Sequence, residues 1–150
     1  MEEFDYEKAA RVWQRVQNRE APEPLRPDPA ALIRDAGELA AMYQALGRLL
    51  PGQDGDRLRQ LGRECRGCAD CLRGLSAIRG GNPGGERGKA VSARQARPLL
   101  EGCYHRERKL LEALVRQTAD PEWGQVYRCL AEKCGKRCVT VLEVLGRLGR

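Results

Sequence analysis

Long apolar runs and aromatic side chains are both scarce in this chain of 150 residues. No stretch reaches the about 18 consecutive apolar residues that a membrane-spanning helix needs, so we expect no membrane partner. Aromatic residues make up 5% of the chain, which is little for a surface that stacks on bases. The net charge of +6 comes from basic residues spread along the helical segments, which is typical of solvated helix faces. We therefore predict no nucleic-acid partner either.

Two further absences limit the cell compartment and the metal chemistry. The N-terminus, Met1-Glu-Glu-Phe-Asp-Tyr6, lacks the apolar core of a secretory signal, so we predict a cytoplasmic protein. His105 is the single histidine, and its position two residues before Glu107 puts it on another face of the same helix. We therefore predict a surface residue at His105 and no histidine-based metal site.

The order of proline, glycine and apolar residues predicts an all-α chain. Residues 1–20 have the pattern of an amphipathic helix, residues 21–29 form a proline-rich linker, and residues 30–150 carry four helical segments. We predict that these segments span about 30–50, 54–78, 98–118 and 121–148. The glycine-rich stretch 79–97 predicts a long, flexible crossover between the second and third helices. The apolar face of the N-terminal helix predicts a homodimer contact through Phe4, Val12, Trp13 and Val16.

Seven cysteines are many for a cytoplasmic chain, and three of them lie in the stretch ECRGCADCL. Its flanks read as one helix, in which Cys65 and Cys68 continue the apolar seam of Leu58, Leu61, Leu72 and Leu75. Each of the other three helices also interrupts its predicted inward seam near its middle: Glu38 in the first, Glu107 in the third, Cys134 and Arg137 in the fourth. A buried charge without a partner is costly, so these coincident interruptions predict one shared site in the core.

The segments around these residues resemble the ferritin-like superfamily, on the rubrerythrin side. GELAAMYQALGRL in the first helix and CYHRERKLLEAL in the third look like the segments that carry single glutamate ligands, here Glu38 and Glu107. LGRECRGCADCLRGL and LAEKCGKRCVTVLEVLG resemble the two segments that carry Glu-x-x-His. The resemblance implies an antiparallel four-helix bundle with a long crossover between helices 2 and 3.

The same resemblance implies that the metal ligands have changed. Cys65 and Cys134 fall at the glutamate positions, and Cys68 and Arg137 fall at the histidine positions. Four of the six usual ligands are therefore different, and the usual di-iron oxidase or peroxidase activity is not expected. Whether the chain is an enzyme at all stays open.

We predict that the changed site holds one metal ion. Thiolates favour zinc or another soft or borderline metal over a carboxylate-bridged iron pair, with iron as the alternative. Cys65, Cys68 and Cys134 would supply thiolates, and Glu107 or Glu38 a further ligand. Arg137 would occupy the place of the second ion. Two other interpretations stay open: a metal-free bundle that acts as a structural or interaction module, and a thiol- or metal-dependent redox enzyme that uses the surrounding Cys103 and Cys138.

Overall fold

The computed structural model describes residues 29–80 and 95–148, and within these ranges the chain forms four α-helices and no strand. The helices are α1 (Pro29–Leu49), α2 (Gly52–Ile78), α3 (Ala96–Gln117) and α4 (Gly124–Leu148). The all-α prediction is confirmed, and the helix limits differ from the predicted ones by only a few residues. The predicted N-terminal helix, the linker up to residue 28 and crossover residues 81–94 lie outside the described ranges.

The helix ends follow from residues that cannot continue a helix or that satisfy its free N–H groups. Pro51 is extended, with φ −83° and ψ 161°, and Gly52 has φ 70°, so the chain turns sharply between α1 and α2. Before α4, the Asp120 carboxylate accepts the backbone N–H groups of Glu122 and Trp123 at 2.9 Å each. These hydrogen bonds stabilise the turn after the Asp-Pro pair, which leads into α4 three residues later than the sequence predicts.

Residue pairs across the helix contacts give the directions of the four helices. Gly62 of α2 lies against the Ala40 carbonyl oxygen, and Gly55 lies against the Leu50 carbonyl oxygen, so α1 and α2 are antiparallel and closely packed. A Cβ at position 55 would stand 2.2 Å from that oxygen, which is why glycine occupies it. On the other side of α1, Glu38 pairs with Arg106 and Met42 lies against Gly102 of α3. Helix α3 is therefore antiparallel to α1 and runs in the same direction as α2.

The core lies between all four helices, and its α2 and α3 faces match the predicted seams. All six predicted inward positions of α2 are buried. The same spacing predicts five inward positions on α3, and all of them are buried: Leu100, Cys103, Glu107, Leu110 and Leu114. On α4, the middle of the predicted seam (Leu130, Cys134, Arg137, Val141 and Val144) is buried, whereas its predicted ends, Val126 and Leu148, are half-buried. Among the described helices, none combines the length and the apolarity needed to cross a membrane.

The predicted inward face of α1 is correct only in part. The spacing predicts the inward positions Ala31, Asp35, Glu38, Met42, Ala45 and Leu49 beside a stripe of Leu32, Leu39 and Leu46, and of these Met42, Ala45 and the stripe are buried. Asp35 and Glu38 are only partly buried and Leu49 is exposed, whereas Ile33 and Tyr43 are buried. The wide apolar surface of α1, with Leu32, Leu39 and Leu46 along its middle, allowed more than one register. Gly62 of α2 lies against the Ala40 backbone, so α2 packs closely on this side of α1, where Ala36 and Ala40 are buried.

Candidate functional site

Glu107 of α3 lies at the centre of the bundle with no solvent exposure, and side chains of the other three helices surround its carboxylate. Its Oε1 atom accepts hydrogen bonds from the Tyr43 hydroxyl at 2.8 Å and from Arg137 Nε at 2.7 Å. The Cys65 thiol lies 3.5 Å from the same oxygen, and the Cys134 thiol donates to Oε2 at 2.9 Å. One carboxylate thus joins α1, α2 and α4, which makes it the structural centre of the site.

Helix geometry explains why these side chains meet. Each of them lies near the middle of its helix, and the antiparallel pairing brings the middle turns of neighbouring helices to one level. On α4, Cys134 and Arg137 are three residues apart and therefore share a face, which is turned toward Glu107. On α2, Cys65 and Cys68 share a face in the same way, and both are buried.

Arg137 supplies the positive charge of the centre. Its side chain is 2% exposed and forms an ion pair with Glu107. Burial alone would lower the pKa of Arg137, but the charge and the hydrogen bond of Glu107 raise it above its ordinary value, so the guanidinium stays charged. Within the described part of the chain, Arg137 Nη2 is buried without a hydrogen-bond partner. The Nη2 donor of Arg137 therefore has no acceptor within the site.

The buried thiols are protonated at neutral pH. Burial, followed by the Glu107 carboxylate, raises the pKa of Cys65 well above its ordinary value. Burial also raises the pKa of Cys68 to about 11, although the neighbouring Arg137 lowers it. Cys134 has a raised pKa because of its hydrogen bond with Cys138, its burial and the Glu107 charge. As protonated thiols, Cys65 and Cys134 are hydrogen-bond donors to the carboxylate.

The two other cysteines predicted to lie around the ligands are close to this centre. Burial and the nearby Glu107 raise the pKa of Cys103 on α3, and its side chain is fully buried. The hydrogen bond with Cys134 lowers the pKa of Cys138, which lies one turn further along α4. All seven cysteines of the chain are free thiols.

Glu38 does not join the centre, so its predicted place in the core is wrong. Its side chain is 36% exposed and pairs with Arg106 on the outside of the bundle. Tyr43, which we expect from sequence only to pack with its hydroxyl at the rim of the core, contacts Glu107 from α1 instead. Its spacing of four residues from Leu39 was the signal for an inward-facing position. His105 is exposed, as predicted.

The donor set does not fit a carboxylate-bridged pair of ions. Among the described residues, Glu107 is the one carboxylate that lies in the centre of the bundle, and a guanidinium and a thiol occupy the predicted histidine positions. In residues 29–80 and 95–148, no group of three or more His, Cys, Asp or Glu side chains is arranged to hold a metal ion. In their present arrangement the thiols and the carboxylate are joined through hydrogen bonds.

Comparisons with protein-family models, with curated proteins and with solved structures find no match to this chain. The arguments for its function therefore depend on the geometry of the described residues.

Proposed function

We propose that this protein binds one thiophilic metal ion, with zinc favoured, in the core of its helical bundle. One observation carries the proposal: thiols from two different helices, Cys65 and Cys134, hydrogen-bond to the same buried carboxylate, Glu107. A metal ion that replaces the thiol protons would have two sulfur ligands and one oxygen ligand. Cys68, one turn from Cys65 and beside Arg137, would offer a third sulfur.

The charge balance of the centre supports this exchange. Glu107 and Arg137 cancel each other's charge, and the thiols are neutral. A divalent ion that displaces two thiol protons leaves the total charge unchanged, so its entry adds no net buried charge. Arg137 Nη2 would then have a thiolate as acceptor, which the present arrangement does not provide.

We also propose that the bundle is a divergent member of the ferritin-like superfamily. The helix directions support this proposal, because α2 and α3 run in the same direction and their connection has to return along the bundle. Helix α3, with 22 residues, is about 33 Å long. Residues 79–95 could extend over more than about 50 Å, which is enough for such a crossover. The free thiols suit the predicted cytoplasmic location, and the predicted dimer contact in residues 1–20 lies outside the described ranges.

A second candidate function is a metal-free scaffold that acts through its surface. The ion pair between Glu107 and Arg137 favours it, because a guanidinium already neutralises the buried carboxylate at 2.7 Å. Under this proposal the thiols serve as small apolar side chains that fill the core. Cysteine replacement would then change packing energy alone.

Titration with Co²⁺ under anaerobic conditions separates the two candidates. Bound thiolates give Co²⁺ an intense sulfur-to-metal charge-transfer band, which thiol-free binding does not produce. We expect this band at one ion per chain in the natural protein and its loss in Cys65→Ser/Cys134→Ser. The matched control, Cys71→Ser/Cys129→Ser, removes two cysteines outside the centre and should keep the band.

The pH dependence of the same titration sharpens the test. If two thiol protons leave on binding, the affinity for Co²⁺ should rise about 100-fold per pH unit near neutrality. Folded natural protein that shows no charge-transfer band at any pH up to 8.5 would reject the metal proposal and favour the scaffold. A band that persists in Cys65→Ser/Cys134→Ser would mean that the metal binds elsewhere.

A further inference from the structure

Three ion pairs fix how α2 and the last part of the chain lie against each other. Asp54 and Arg57 of α2 pair with Arg147 and Glu143 of α4, each at 2.6 Å. At the other end of α2, Arg79 pairs with Asp120 at 2.6 Å. Steps forward along α2 are thus matched by nearly equal steps backward along α4, and the three ion pairs agree on one antiparallel register.

This register brings two cysteines outside the central site to face each other. Cys71 lies fourteen residues after Arg57, and Cys129 lies fourteen residues before Glu143. Fourteen residues are almost four helical turns, so Cys71 lies on nearly the same face of α2 as Arg57. Cys129 likewise lies on nearly the same face of α4 as Glu143. Because Arg57 and Glu143 contact each other, the register predicts that Cys71 and Cys129 occupy opposite positions across the same pair of helices.

The surroundings of this pair differ from those of the central thiols. Cys71 is half-buried and Cys129 is exposed, so reagents in solution can reach the pair. Partial burial and the neighbouring Cys129 raise the pKa of Cys71, while Lys133, one turn after Cys129, lowers it. The effects of Cys129 and Lys133 on the pKa of Cys71 require both residues to be near it, which agrees with the register.

We propose that Cys71 and Cys129 form a redox-active dithiol at the surface, which hydroperoxides oxidise to a disulfide between α2 and α4. The exposed Cys129 thiolate would attack one peroxide oxygen, which breaks the O–O bond and yields Cys129 sulfenic acid and an alcohol or water. The Cys71 sulfur then attacks the Cys129 sulfur, the S–O bond breaks, and water leaves. In total, two thiols lose two protons and two electrons, and the hydroperoxide is reduced to an alcohol and water.

The disulfide would connect the α1–α2 hairpin to the α3–α4 hairpin. It would close a loop that includes the end of α2, residues 81–94, all of α3 and the turn before α4. Because a bridge across a long loop restricts the unfolded chain, we expect the oxidised protein to unfold at a temperature at least about 5 °C higher. This bond would form independently of the central site, since neither thiol belongs to it.

The test is treatment of the reduced full-length chain with one equivalent of hydrogen peroxide, followed by peptide mapping without reductant. We expect a Cys71–Cys129 linked peptide within single chains, and its complete loss in Cys129→Ser. In Cys71→Ser, Cys129 should accumulate as a sulfenic acid that dimedone traps. Two matched controls, Cys138→Ser and Cys65→Ser/Cys134→Ser, should form the link at rates within about twofold of the natural protein.

Three results would overturn the proposal. One is a disulfide that joins Cys129 residues of two chains instead of Cys71 and Cys129 of one. Another is a Cys129 sulfenic acid that persists in the natural protein although Cys71 is reduced. The third is oxidation of the central cysteines before either surface thiol reacts.

Discussion

Two glutamate–arginine pairs in this bundle have the same chemistry and different surroundings. Arg106 and Glu107 are neighbours in α3, yet they face opposite sides of the helix. Arg106 pairs with Glu38, and their side chains are 49% and 36% exposed. Glu107 pairs with Arg137, and their side chains are 0% and 2% exposed. Water can solvate the charges of the outer pair, whereas only protein groups stabilise the charges of the inner pair.

The comparison shows that burial, more than residue type, decides how much a charge pair matters. An exposed pair contributes about 0–1 kcal/mol because water and salt screen it. A buried pair adds little net stability as a whole, but removal of one partner strands the other charge in a dry interior. Tyr43 adds a second donor to the oxygen that Arg137 contacts, and the Cys134 thiol donates to the other oxygen, because both oxygens of a buried carboxylate need donors.

The largest expected effect follows from breaking the inner pair. Arg137→Met keeps the side-chain volume roughly constant but leaves Glu107 without its cation, so we expect a loss of about 3–5 kcal/mol in the free energy of unfolding. The matched change in the outer pair, Arg106→Met, should cost less than about 1 kcal/mol. Urea denaturation of both variants measures the difference. Equal losses would contradict the inner ion pair.

A smaller effect is expected when one neutral donor is removed from the inner site. Tyr43→Phe deletes the hydroxyl that donates to Glu107 at 2.8 Å and leaves the ring in place. A hydrogen bond to a charged group contributes about 1.5–3 kcal/mol, and we expect a loss in that range by urea denaturation. Tyr104→Phe, on the half-buried outer part of α3, is the control and should stay within about 0.5 kcal/mol.

The smallest of these effects concerns pH. The pKa of Cys68 is about 11 in the folded chain and 9.0 as its ordinary value, so the folded state keeps a proton that the unfolded chain releases first. This contribution to stability is complete below about pH 8 and is lost as the pH rises through 9 toward 11. When the pH rises from 8 to 10, the free energy of unfolding should therefore fall by about 1 kcal/mol less in Cys68→Ala than in the natural protein. Equal losses in the two metal-free proteins would mean that Cys68 is not a buried, protonated thiol.

The sequence predicted three of the four inner helix faces because those faces are narrow. On α2, α3 and α4, polar residues flank a single apolar seam, so Cys65, Glu107 and Arg137 could point in only one direction. On α1, apolar residues cover more than half of the helix surface. Sequence periodicity could not choose between Glu38 and Tyr43 there, since the choice depends on the close approach of Gly62 of α2 to the Ala40 backbone. The pairing of Cys71 with Cys129 also required the tertiary register, which three ion pairs between distant positions define.

The most direct test of the central claim is the metal content of protein purified anaerobically, without chelators and under reducing conditions. The account predicts about one zinc or similar soft metal ion per natural chain, and almost none in folded Cys65→Ser/Cys134→Ser. Two iron ions per chain would contradict the single-ion centre and would restore di-iron chemistry as the function. Natural protein that folds and contains no metal would contradict the claim outright.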